Sequence, residues 1–286
     1  LVMEGGSGSK RFNEILSICR PDLLVLDDSW NLPDPEESSL LSNLELLWVD
    51  GNIPALAKLA RCCGNLESLI IADWQPEPGE LLPLSGLKKL QSLTIAESDL
   101  TSLSGIEFPK SLRNLHMVSC DTLSDISKLG DFQELNRLGL TLCNEVKDVD
   151  ILQEMNSLQW LSFPANISHQ EFREVTGRLT QLEVVELIGC TEIMNLAPLQ
   201  ALPYLKALVL QLEQEQLTKL DSLERLKLLI LTDEVFTDNP EWIKELRSSL
   251  PNSTIVPGSG LCLGSGWLLL LLPFILIFRY FFRRKK

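Results

Sequence analysis

Histidine is nearly absent: His116 and His169 are the two in 286 residues. Proton transfer near neutral pH leans on that side chain, so little remains for general acid–base chemistry. Aromatic residues make up 6% of the chain, and 25 Lys plus Arg face 39 Asp plus Glu, for a net charge of −14. Five of those bases (Arg279, Arg283, Arg284, Lys285, Lys286) lie in the last eight residues, and no acid follows Glu245. The chain ahead of Trp267 therefore holds 20 bases against its 39 acids. Such a surface cannot neutralise phosphates, which excludes a nucleic-acid partner. The seven cysteines include no Cys-x-x-Cys pair, so the usual zinc arrangement is missing. Phosphate loop, nucleophile elbow and dinucleotide fingerprint are missing too. Paired acids such as Asp27-Asp28 and Asp233-Glu234 read as solvated surface. No metal or cofactor is expected, and the chain does not read as an enzyme.

Leucine is abundant, and it is spaced. The pattern L-x-x-L-x-L-x-x-N/C starts at Pro21, Leu44, Leu66, Leu90, Leu112, Leu135, Leu158, Leu182, Leu205 and Leu226, at steps of 21–24 residues. Clear copies are Leu112-Arg-Asn-Leu115-His-Met117-Val-Ser-Cys120 and Leu135-Asn-Arg-Leu138-Gly-Leu140-Thr-Leu-Cys143. Apolar positions 1, 4 and 6 suit the inner side of a short parallel strand. Later apolar residues at three-residue spacing, such as Leu123, Ile126 and Leu129, suit a helix or 3-10 turn on the return path. One such unit cannot bury its apolar face alone, so stacking has to supply the core.

On these copies the chain resembles the leucine-rich repeat family, in its short 22–23-residue class, over residues 11–256. Within that class it looks internalin-like or phosphatase-regulator-like. The resemblance implies an α/β solenoid with a concave parallel sheet and helices or 3-10 turns on the convex side. Trp242 to Ile255 resembles the helix and last strand that close bacterial arrays. Position 9 reads Ser29, Asn52, Trp74, Ser98, Cys120, Cys143, Asn166, Cys190, Glu213 and Glu234. Asn52, Cys120, Cys143, Asn166 and Cys190 are expected as a buried ladder, whereas Trp74, Glu213 and Glu234 predict irregular repeats. Asn166-Ile-Ser168 and Asn252-Ser-Thr254 are glycosylation sequons, the first discounted because a ladder residue should be buried.

Positions 3, 5 and 7 are expected to point out of the concave face. In its middle they bring together Asn114, His116, Arg137 and Trp160, with Trp48 towards the start and Glu186 further on. Aromatic residues and Arg dominate protein interfaces. Trp48, Asn114, His116, Arg137, Trp160 and Glu186 are therefore the candidate contacts to a protein or peptide ligand.

The ends differ in composition. Residues 1–10 read as a flexible linker or the remnant of an upstream region, through Gly5-Gly6-Ser7-Gly8-Ser9. Residues 257–266 are a Gly/Ser spacer. Leu261 to Phe278 is 18 residues without a charge, about 27 Å as a helix. That length nearly crosses a hydrocarbon core of about 30 Å. A transmembrane helix is expected over 267–282, with Trp267 and Tyr280 as interface anchors and 283–286 as a basic cytoplasmic tail. The repeats would then stand outside the cytoplasm, at a cell surface or in a periplasm. The spacer, apolar run and basic cluster also resemble bacterial sorting tails, although Leu250-Pro-Asn-Ser253 has Ser where the sortase pattern has Thr. Two other readings stay open: a cytoplasm-facing scaffold anchored by its tail, and an accessory repeat domain of a larger enzyme.

Overall fold

The computed structural model describes residues 2–3, 22–26, 41–51, 63–77 and 79–258. They divide into two compact units between Leu161 and Ser162. The apolar 261–278 run, the spacer beyond residue 258 and the linker 4–10 lie outside the described residues, as do Asn52, Cys19, Cys62 and Cys262. Among the described residues no helix is long and apolar enough to cross a membrane.

In the first unit the strands are β1 (Val2–Met3), β2 (Leu23–Leu26), β3 (Leu46–Asp50), β4 (Ser68–Ala72), β5 (Leu82–Pro83), β6 (Ser92–Ala96), β7 (Ile106–Glu107), β8 (Asn114–Val118) and β9 (Arg137–Thr141). β10 (Trp160–Ser162) lies at the division. The strands pair in parallel, with one strand contributed by each repeat: Leu46 faces Ser68, Ser68 faces Ser92, Ser92 faces Asn114, and Asn114 faces Arg137. β5 and β7 form a separate two-stranded sheet. Positions 1, 4 and 6 face the core as expected; Leu112, Leu115 and Met117, then Leu135, Leu138 and Leu140, are at most 2% exposed. Burying each such side chain contributes about 1.5–3 kcal/mol. On the return path Leu123, Ile126 and Leu129 are buried, and short 3-10 turns run over Leu103–Gly105, Ser127–Asp131 and Val149–Glu154.

The regular coils are closed by the same backbone device. The N–H groups at positions 2 and 3 share one carbonyl of the preceding coil: Arg113 and Asn114 both donate to Gln91, Asn136 and Arg137 both to Arg113. Position 8 then takes a left-handed φ, at Gly51, Asp73, Glu97, Ser119, Leu142 and, in the second unit, Gly189. That twist ends the strand and turns position 9 inward. Cys120 and Cys143 are 0% exposed, and their thiols donate to Ile95 and Met117 carbonyls at 3.6 and 3.8 Å. Ser98 does the same, donating to the Trp74 carbonyl.

The second unit contains β11 (Val184–Ile188), β12 (Ala207–Gln211), β13 (Leu228–Leu231) and β14 (Thr254–Pro257), parallel and in order. Its helices are α1 (His169–Arg178), α2 (Asp233–Asp238) and α3 (Pro240–Ser249). Ser168 and Glu171 form a capping box that starts α1, and Phe172 and Val175 bury its inner face. α3 and β14 are the closing helix and strand. Ile243, Leu246, Leu250 and Ile255 seal the core there.

Two ladder expectations change. Asn166 is exposed, not buried. Its repeat has no left-handed residue at position 8; Pro164 opens a turn in which the Ile167 N–H returns to the Pro164 carbonyl. Ile167, 1% exposed, fills the core instead. Burial is therefore no ground for discounting the Asn166 sequon. Trp74 does occupy its ladder position, buried to 1% exposure. Glu213 and Glu234 leave the ladder for solvent, again in repeats whose position 8 is not left-handed.

Candidate functional site

Three of the expected contacts meet on the outward face of the first unit. His116 on β8 is paired in register with Gly139 on β9. A Cβ built on Gly139 would stand 2.7 Å from His116 Nδ1, so the imidazole lies across β9 in the space that a side chain would take. The ring thereby reaches Trp160, edge to face, with centroids 5.5 Å apart. Arg137, one position-3 neighbour away, places its guanidinium 4.9 Å from the Trp160 ring centroid. That is cation–π geometry, worth about 0.5–1 kcal/mol at an exposed site.

The electrostatics follow from this packing. Burial, and then the Arg137 charge, lower the His116 pKa to about 4. The imidazole is neutral at physiological pH, and Arg137 is the cluster's single charge. Arg137 itself is exposed, while Asn114, His116 and Trp160 are half-buried. Two polar atoms of this face are buried without a hydrogen bond: Trp160 Nε1 and Thr94 Oγ1. Thr94 on β6 is the register partner of His116.

Position 5 is the most covered row. Ile70, Thr94 and, in the second unit, Ser162 and Glu186 are 0–4% exposed, because neighbours on strands about 4.8 Å away close over the central residue. Trp48 is half-buried on β3. β4 and β6 lie between it and β8, so it does not join the cluster. Glu186, expected as an outward contact, is instead buried on β11. His169 opens α1 and accepts from the Met194 N–H at 3.4 Å.

Two features are not legible in the sequence. The unpaired indole N–H depends on how Arg137 and His116 pack around Trp160. A groove of about 680 Å³ also opens beside the returns, lined by Phe108, Phe132 and Leu135 among others. Phe108 and Phe132 meet edge to face there at 4.9 Å. The cations Arg113 and Lys128 that line it are already paired, with Glu134 at 2.6 Å and Asp131 at 2.8 Å.

The thiols are structural in placement. Hydrogen bonding to Cys120 and burial hold the Cys143 thiol well above its ordinary range, and burial pushes Cys190 up to about 12. Cys120, Cys143 and Cys190 are free thiols. Among the described residues no group of three or more His, Cys, Asp or Glu is placed to hold a metal ion.

Each unit is thus a stack of parallel-strand coils built on the repeated leucine pattern, and the first carries an aromatic and cationic cluster on its outward sheet face. Among known proteins, no family model and no curated protein matches the chain. Internalin C2 from Listeria monocytogenes has a similar solved structure, 22% identical over 68% of this chain and 84% of that one, with a TM-score of 0.47. A second internalin from that species, InlF, is 20% identical over 81% of this chain and 72% of its own, also at 0.47. Both likenesses are distant, and the fold assignment stands on the repeat register and the coils themselves.

Proposed function

We propose that the chain is a protein-recognition module whose working surface is the outward sheet face around Arg137 and Trp160. The observation that carries this reading is the cluster itself: an exposed Arg stacked on Trp, fixed by a neutral His over a glycine, on a rigid parallel sheet. Large aromatic residues and Arg on pre-organised elements supply most interface energy. Replacing Arg137 and Trp160 together by Ala is expected to abolish partner binding while the far-ultraviolet spectrum is kept. Unchanged affinity in that double variant would remove the face from the account.

The same reading places the module outside the cytoplasm, held by a transmembrane helix over 267–282. Its support is the uncharged 18-residue run followed by Arg279 and the Arg283–Lys286 cluster, which by charge asymmetry stays cytoplasmic. One observation favours the alternative, a cytoplasm-facing tail-anchored scaffold. Cys120 and Cys143 are buried free thiols at the ladder positions of adjacent repeats, which a reducing compartment would preserve. Protease shaving of intact cells decides, with one epitope in the repeats and one after Lys286. Digestion of the repeat epitope while the membrane holds supports display; its survival until the cells are opened supports the scaffold.

A further inference from the structure

We propose that Asn114, Arg137 and Trp160 form a strip of hydrogen-bond donors that holds an acidic side chain of a partner polypeptide crossing the sheet. This rests on the recognition reading above and adds the chemistry of the partner.

The three residues occupy position 3 of successive repeats, with Asn114 and Arg137 directly paired in register. Adjacent strands stand about 4.8 Å apart, so their polar ends line up across the sheet. Among the described residues, neither Asn114 nor Arg137 has a hydrogen bond or ion pair through its side chain. Trp160 Nε1 has lost water and gained no acceptor. An unsatisfied buried donor costs about 1–3 kcal/mol, which an incoming acceptor would recover.

Charge selects the acceptor. The outward residues of β6, β8 and β9 are Ser92, Thr94, Ala96, then Asn114, His116, Val118, then Arg137, Gly139 and Thr141. No carboxylate is among them, in a chain of net charge −14. The acids that elsewhere pair with Arg113, Lys128 and Lys206 have no counterpart beside Arg137. His116 is neutral and adds no competing charge. A carboxylate accepting at about 2.8 Å on each oxygen can bridge the guanidinium and the indole edge, which lie within one ring contact of each other. Arg137 is exposed and bound by no ion pair, so its own torsions can open the way to Nε1. β6, β8 and β9 pair in continuous parallel register, so a bound chain can run on across several strands, which favours an Asp or Glu side chain over a terminal carboxylate.

The test uses the full chain in detergent and a randomised peptide library displayed between fixed flanks, with a parallel library ending in a free carboxylate. Asp or Glu should be enriched at one position of the flanked binders. Their affinity should fall about tenfold on Arg137→Gln, the loss expected for a charge-assisted hydrogen bond. It should fall severalfold on Trp160→Phe, which keeps the ring and removes the N–H, and recover in part with Arg137→Lys. Binders without an acid that still require Arg137 and Trp160 would overturn this inference and leave the recognition face standing. Binders from the free-carboxylate library alone would replace the side chain by a chain end. Binders indifferent to the Arg137→Ala and Trp160→Ala double variant, or no binders, would overturn both.

Discussion

Gly139 is the residue on which the cluster turns. Any larger residue would meet the imidazole of His116, and the ring could then no longer reach Trp160. Gly139→Ala is expected to destabilise the fold by about 1–3 kcal/mol through overpacking. Chemical denaturation of a double-mutant cycle checks the cause: in a His116→Ala background the penalty should largely vanish, and an equal penalty there would clear His116. The same residue gives a pH signature. With its pKa at about 4, against an ordinary 6.5, the proton prefers the unfolded chain. The stability from neutral His116 is complete above about pH 6.5, declines as pH falls through that value, and levels off below about 4. The thermal midpoint of the wild type should therefore drop more than that of His116→Gln between about pH 7 and pH 5; parallel curves would refute the lowered pKa of this ring. The proximity of His116, Arg137 and Trp160 was legible in the sequence because strand register follows from repeat spacing. The folding of the ring over Gly139 was not, since a glycine in a strand does not say which neighbour uses its space.

At the scale of the element, the left-handed residue at position 8 decides whether a repeat is regular. Sequence spacing located strands, returns and the cysteine ladder through the apolar period. It gave little sign of position 8, because only Gly51 and Gly189 there are glycine, while Asp73, Glu97, Ser119 and Leu142 bear the strain instead. Where the residue is not left-handed the ladder fails, as at Asn166, Glu213 and Glu234. Glu97 is exposed and has φ of 53°. Glu97→Gly should stabilise the protein by roughly 0.5–1 kcal/mol, the left-handed penalty less the added chain entropy. Calorimetry would read this as a higher thermal midpoint, and a lower one would mean that the Glu97 side chain contributes a contact. The Asn166 expectation failed because a motif match at position 9 presupposes the twist at position 8, which Pro164 and Ala165 do not provide.

For the whole molecule, composition excluded more than it specified. The proposed recognition role rests on what is present: the outward face of the first unit supplies the residue types that carry interfaces. The most direct measurement is site-specific photo-cross-linking in intact cells, with the reactive residue placed at Asn114 on the outward face or at Asp150 on the return path. The account predicts a discrete cross-linked product from position 114, none from position 150, and loss of that product when Arg137 and Trp160 are both Ala. Equal products from the two positions, or a product indifferent to the double substitution, would contradict it.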